Sequence, residues 1–135
     1  MTLLLGVVDG PARCFHYATA GHHMPIVTRR GRSLKLPLMG SNIPLGIRRD
    51  LRFLAEQDLD FESGDAMLLY TDGVWEATDR EGRRFGSDRI TAVVESCHGK
   101  ATLPVIETIF DAVARHRAAP EAEDDYTLIF AQAAD

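Results

Sequence analysis

The chain has 135 residues, 45% of them hydrophobic and 26% charged, which suits one globular domain of alpha and beta elements and excludes a disordered tail or a fibrous repeat. Its longest apolar runs, residues 1–8 (broken by Thr2 and Gly6) and 66–70, fall far short of the roughly 20 residues a membrane helix needs, and the first run lacks the basic start and cleavage site of a secretory signal. A formal net charge of −5 opposes broad binding to a phosphate backbone, so neither nucleic acid nor membrane is expected as a partner.

Taken in chain order, residues 3–8, 14–19, 26–28 and 33–36 are short apolar or alternating runs separated by Gly and Pro punctuation, which predicts strands in an antiparallel meander. Residues 38–50 carry Gly40, Asn42, Pro44 and Gly46 and read as an ordered loop. Alternation over residues 51–56 predicts another strand, followed by a turn at Glu62-Ser63-Gly64-Asp65. The continuous apolar run 66–71 suits a central strand covered on both faces and stops at Asp72-Gly73.

Ser87 reads as an N-cap, with Ile90, Val93, Val94 and Cys97 at helical spacing before Gly99 closes the segment. Pro104 suits a first helical turn, and Val105, Ile106, Ile109, Phe110 and Val113 form a stripe that ends near Arg115 and Arg117, where the helix dipole favours cations. Residues 118–123 read as a loop, and the beta-branched and aromatic run 126–131 as the final strand.

Two acidic points sit at ends of predicted core strands, where a carboxylate is held rigidly and still reaches solvent: Asp72, and the pair Asp124-Asp125. Gly73 permits a tight turn and a close backbone approach to a ligand. If the two strands are neighbours, carboxylates distant in sequence converge, and oxygen ligands favour Mg²⁺ or Mn²⁺ over zinc. Taken singly, an Asp-Gly after a strand is most often a turn, and a Glu-Asp-Asp cluster is usually a solvated loop.

Several strings occur together and in order: Tyr17-Ala18-Thr19-Ala20-Gly21-His22, Pro44-Leu45-Gly46, Gly64-Asp65, Leu68-Leu69-Tyr70-Thr71-Asp72-Gly73-Val74-Trp75-Glu76-Ala77, Phe85-Gly86 and Asp124-Asp125-Tyr126-Thr127-Leu128. In this combination the whole chain resembles the C-terminal half of a SpoIIE/RsbU-type phosphatase, the bacterial branch of the metal-dependent phosphatases related to protein phosphatase 2C. The resemblance implies an α+β fold, a partial α-β-β-α sandwich of antiparallel sheets with outer helices. It implies two Mn²⁺ or Mg²⁺ ions that activate a water against phosphoserine or phosphothreonine, without a covalent enzyme intermediate. By the same resemblance Asp72 and Asp124 match metal ligands, with Asp125 and Thr127 as supporting residues, and by their position beside Asp72, Gly73 and Glu76 join the supporting candidates.

The family's other metal-binding acids lie on an early acidic strand and in an Asp-x-x-Gly-His-Gly-like string, and neither occurs upstream of Asp72 here. The expectation is therefore a single, N-terminally truncated phosphatase domain over residues 1–135, incomplete as an isolated chain. Its implied substrate is a phosphorylated regulatory protein of the anti-sigma-factor-antagonist type in the cytoplasm. The alternative is a non-catalytic half-domain acting as a protein-interaction or regulatory module, and absent strands would leave sheet edges that invite homo-oligomerisation.

Other groupings carry less. Cys14, His16, His22 and His23 form a Cys-x-His-x5-His-His spacing that matches no common zinc pattern. The two cysteines, Cys14 and Cys97, are too few for a disulfide framework, and Cys97 lies on a helical apolar stripe as a core residue. Arg29, Arg30, Arg32 and Lys35, and then Arg83-Arg84, read as solvated turns, with phosphate steering as the sharper reading of the second cluster. Trp75 reads either as the rim of the Asp72 site or as packing beneath its loop.

Overall fold

The computed structural model describes residues 1–36, 43–49, 57–118 and 125–134. In chain order its elements are β1 (Leu3–Asp9), β2 (Cys14–Ala20), β3 (Ile26–Arg29), β4 (Arg32–Ser33), β5 (Gln57–Asp60), β6 (Ala66–Tyr70), α1 (Asp72–Glu76), α2 (Gly86–Ser96), α3 (Thr102–His116) and β7 (Leu128–Gln132). They fall into two compact units, Met1–Met24 with Lys35–Ser63, and Pro25–Leu34 with Gly64–Asp135.

The first unit is a three-stranded antiparallel sheet in the order β1-β2-β5. Its first hairpin turns where the Ala12 N–H donates to Asp9 Oδ1 at 2.9 Å, a local side-chain bond that favours a turn over continued strand. Alternation along β2 buries Phe15 and Tyr17 and leaves Cys14 and His16 half-buried on the opposite face, as the two-residue period of a strand requires. The Phe15 and Tyr17 rings stack with centroids 5.3 Å apart.

The second unit is a four-stranded antiparallel sheet in the order β4-β3-β6-β7. The apolar run of β6 occupies an interior position between β3 and β7 and is buried except at half-buried Leu69. Leu68 and Tyr70 join a core with Ile90 and Val94 of α2 and with Val105, Ile109 and Val113 of α3. Those helical residues follow the three- and four-residue spacing that sets one face of a helix against a sheet. Phe110, expected in the same stripe, is 37% exposed and stacks on Tyr126 with centroids 6.5 Å apart.

Several elements differ from expectation. The meander is not formed, because β2 and β3 belong to different sheets. The chain leaves β2 at Gly21, whose φ of +67° places its Cα within a tight approach to Pro44, where an added Cβ would lie 2.5 Å from the proline ring. The fourth strand is only Arg32–Ser33, and α2 begins at Gly86 with Phe85 before it rather than at a Ser87 cap. Phe85 sets that start: it is buried, and its N–H donates to the Ala77 carbonyl at 2.8 Å. The final strand begins at Leu128 instead of Tyr126, since Asp125 and Thr127 bond to Thr71. Residues 43–49, inside the expected loop, hold no strand or helix. The expected strand over 51–56 and the remainder of the loops over 38–50 and 118–123, apart from Ala118, lie outside the described residues. No helix among the described residues is long and apolar enough to cross a membrane.

Candidate functional site

Thr71 is the residue at which β6 gives way to α1, and it splices that junction to the start of β7. Its N–H donates to the Thr127 carbonyl at 3.2 Å, its Oγ1 accepts from the Thr127 N–H at 3.0 Å and donates to the Asp125 carbonyl at 3.3 Å. Its carbonyl accepts from the Val74 N–H at 3.2 Å, closing the first turn of α1. The strands carrying the two acidic points are thus neighbours, with Tyr70 opposite Leu128, which is the condition for their carboxylates to converge.

Asp72 is the exposed first residue of α1, a one-turn helix where a strand end and a turn are expected. Its Oδ1 accepts from the Gly73 N–H at 3.2 Å, and no lysine or arginine pairs with it among the described residues. Gly73 is buried, and a Cβ there would lie 2.5 Å from the Asp125 carbonyl oxygen and 3.0 Å from Tyr126 Cδ1. The close approach that this glycine permits is therefore to the chain's own backbone. Asp124 lies outside the described residues; Asp125 is exposed, and Thr127 meets Thr71 through both of its backbone polar groups.

Glu76 Oε1 lies 3.3 Å from Arg84 Nη2, and the Arg84 guanidinium lies 4.6 Å from the centroid of the Trp75 ring, a cation–π distance. Trp75 also packs partly buried on the core. Arg83 is tied to Asp79 at 2.7 Å and to Glu81 at 3.0 Å. Burial pushes the Asp79 carboxyl up, but the Arg83 and Glu81 N–H groups and the Arg83 guanidinium outweigh it and hold Asp79 below its ordinary range. Both arginines are thus engaged in local ion pairs.

In donor type the Asp72 locus fits a hard divalent cation, because a carboxylate oxygen is what Mg²⁺ and Mn²⁺ take. The described residues supply Asp72 for that role, and the second matched acid, Asp124, is outside them.

Two arrangements escape a reading of sequence alone. Asp65, placed by its neighbours in a turn, is 1% exposed and receives Arg29 as a fork, with Nε 3.1 Å from Oδ1 and Nη2 2.8 Å from Oδ2. Arg29 is accordingly no solvated hairpin charge. The second is the one group of three metal-ligand side chains among the described residues, Cys14, His16 and Asp58. His16 Nδ1 lies 2.7 Å from Asp58 Oδ1 and 3.9 Å from Cys14 Sγ. His22 and His23 lie beyond the end of β2 and outside this group, the His22 carbonyl accepting from the Thr19 hydroxyl at 3.1 Å.

Among solved structures, the chain is similar to the phosphatase domain of the cell fate determinant SpoIIE from Bacillus subtilis, at 15% identity and a TM-score of 0.76, over 98% of this chain and 56% of that one. The PP2C domain of SiaA from Pseudomonas aeruginosa matches at 21% identity and a TM-score of 0.79, over 97% of this chain and 51% of that one. The RsbU and RsbW domains of a Mycobacterium tuberculosis protein match at 24% identity and a TM-score of 0.73, over 98% of this chain and 37% of that one. The fold is therefore the α+β fold of PP2C phosphatase domains, and the chain spans little more than half of these relatives' lengths, or less. No curated protein matches the sequence. The family model for stage II sporulation protein E matches residues 1–134, and the chain belongs to that SpoIIE family.

Proposed function

We propose that this chain serves metal-dependent hydrolysis of phosphoserine or phosphothreonine, with Asp72 and Asp124 as carboxylate ligands to Mn²⁺ or Mg²⁺. The substrate on this reading is a phosphorylated bacterial regulatory protein of the anti-sigma-factor-antagonist type, in the cytoplasm, and nucleic acid and membrane are not partners. The observation that carries the reading is the Thr71 splice, which fixes the backbone of Asp72 beside that of Asp125.

When bound, the metal supplies Lewis acidity that polarises phosphoryl oxygens and lowers the pKa of water. The chain's own residues hold and orient. Asp72 presents its carboxylate from a backbone pinned by Thr71, Gly73 lets the Asp125 backbone come close, and Thr127 keeps the two segments in register. Glu76, paired with Arg84 over Trp75, stiffens the far end of α1. Such positioning matters because small misplacements of reacting groups are costly in rate.

The test is Mn²⁺-dependent hydrolysis of an aryl phosphate, with Asp72→Asn as control. Activity that falls on the order of a hundredfold or more in the variant supports the reading, removal of a catalytic electrostatic partner having effects of that size. Equal activity in both proteins removes Asp72 from the mechanism. Inactivity in both favours the second reading, a non-catalytic half-domain that engages proteins. That reading draws on the exposed apolar surface of β1, where Leu5, Val7 and Val8 are 61%, 58% and 58% exposed, and it includes self-association through this sheet edge.

A further inference from the structure

We propose that Cys14, His16 and Asp58 form a binding site for one Zn²⁺ ion that ties β5 to β2. Cys14 and His16 are two residues apart on β2 and so project from the same face, and Asp58 on β5 is the direct antiparallel partner of His16. The three donor atoms lie within 4.8 Å of one another.

Their geometry distinguishes a metal site from a nucleophilic triad. In a triad the nucleophile and the carboxylate take opposite ring nitrogens, so that the histidine can relay a proton. Here Cys14 Sγ, at 3.9 Å, and Asp58 Oδ1, at 2.7 Å, approach the same atom, His16 Nδ1. Convergence of three donors on one point is what a cation needs and what proton relay does not.

Zinc bond lengths place the donors of a tetrahedral site about 3.3–3.6 Å apart. Reaching that geometry from 3.9 and 2.7 Å requires the thiol to close slightly and the carboxylate to open slightly, the ion displacing to solvent both the Cys14 thiol proton and the proton between His16 Nδ1 and Asp58 Oδ1. A sulfur, a nitrogen and an oxygen donor together select a borderline cation such as Zn²⁺ over Mg²⁺ or Mn²⁺. Three protein ligands leave a fourth position for water.

The surroundings agree. Asp9 and Asp60 are the cross-strand partners of Cys14 on its two sides, so two more carboxylates on that face add to the local negative potential. Access is open, the His16 and Asp58 side chains being 36% and 68% exposed. The site shares no residue with the Asp72 locus, and two of its three donors, a sulfur and a nitrogen, are of a different class from the carboxylate oxygen of Asp72.

Co²⁺ is the probe, titrated into the whole chain under reducing conditions, with Zn²⁺ as competitor. The expected result is a thiolate-to-Co²⁺ charge-transfer band that saturates with one thiolate-ligated Co²⁺ per chain and is displaced by Zn²⁺, Co²⁺ held by oxygen ligands at the Asp72 locus giving no such band. Cys14→Ser should abolish the band and weaken Zn²⁺ binding on the order of a hundredfold, while Asp58→Asn keeps the band and weakens binding about tenfold. Cys97→Ser and Asp72→Asn should leave the thiolate band and its displacement by Zn²⁺ unchanged, which separates this site from the phosphatase reading. Absence of a band in the folded wild-type chain, or a band that survives Cys14→Ser, overturns the proposal. Should Cys14→Ser fail to fold by circular dichroism, unchanged Zn²⁺ affinity in Asp58→Asn, a substitution at an exposed carboxylate, overturns it equally.

Discussion

Asp65 follows Glu62-Ser63-Gly64 in sequence and would pass for a solvated turn residue, yet its carboxylate is the buried anchor of Arg29. The backbone explains how it is held: the Ala133 N–H donates to the Asp65 carbonyl at 2.9 Å, and the Gly64 N–H donates to the Ala133 carbonyl at 3.1 Å. With the side chain fixed, loss of Arg29 removes a two-pronged cationic donor from a carboxylate that is 1% exposed. Arg29→Met should therefore cost about 3 kcal/mol, and Arg29→Lys a large part of it, because a point charge does not replace a two-pronged donor. Urea denaturation reads this directly, and a loss below about 0.5 kcal/mol, the scale of an exposed pair, would sink the account. Gly73→Ala is the companion case. Its Cβ would meet the Asp125 carbonyl oxygen at 2.5 Å, so the α1–β7 junction must part and the urea midpoint should fall, together with any Mn²⁺ affinity the proposed function assigns to Asp72. Asp72 and Gly73 are legible in sequence because their signal is local, a run of apolar residues ending in Asp-Gly. Asp65 and Asp58 are not, because their partners lie 36 and 42 residues away.

The elements with a strong period are the ones that sequence conveys. α2 and α3 show their buried stripes at Ile90 and Val94 and at Val105, Ile109 and Val113, and β6 shows itself as an unbroken apolar run. α1 does not, since five residues are too short to display a helical period, and the approach of Gly21 to Pro44 at the end of β2 joins residues far apart in sequence. Of the candidate site, sequence conveys Asp72 and the neighbouring strand, while the Thr71 bonds that join them depend on register. The 79–83 turn is likewise a product of local bonds, with Asp79 Oδ1 accepting from the N–H groups of Glu81 and Arg83 at 3.0 and 2.9 Å. Those bonds favour the charged carboxylate, so its folded-state value lies below the ordinary 3.8. The stabilisation is thus complete above pH 3.8 and is lost as pH falls through the depressed value. Comparing wild type with Asp79→Asn across an acid titration should show a constant stability difference at neutral pH that shrinks below that point. A difference that stays constant into strong acid would show that the carboxylate charge is not what holds the turn.

At the scale of the whole molecule, an apolar sheet edge and a net negative charge act against each other. Among the described residues β1 is an edge strand of its sheet, and Leu5, Val7 and Val8 along it are each more than half exposed, so its outer backbone edge and apolar side chains offer a template to a second copy. The formal charge of −5 repels such a copy, and this repulsion is screened within roughly 10 Å at 0.1 M salt. Self-association should therefore be weak at low ionic strength and rise with salt, the reverse of an interface held by ion pairs. Light scattering on a sizing column at two salt concentrations and several protein concentrations separates these cases. Val7→Lys places a charge on the edge, as natural sheets do to block pairing, and should return the chain to monomer at both salt concentrations without lowering its thermal midpoint, since Val7 is 58% exposed. A wild-type chain that stays monomeric at high salt would show that the edge is shielded in solution, and a Val7→Lys chain that still associates would move the interface elsewhere on the molecule.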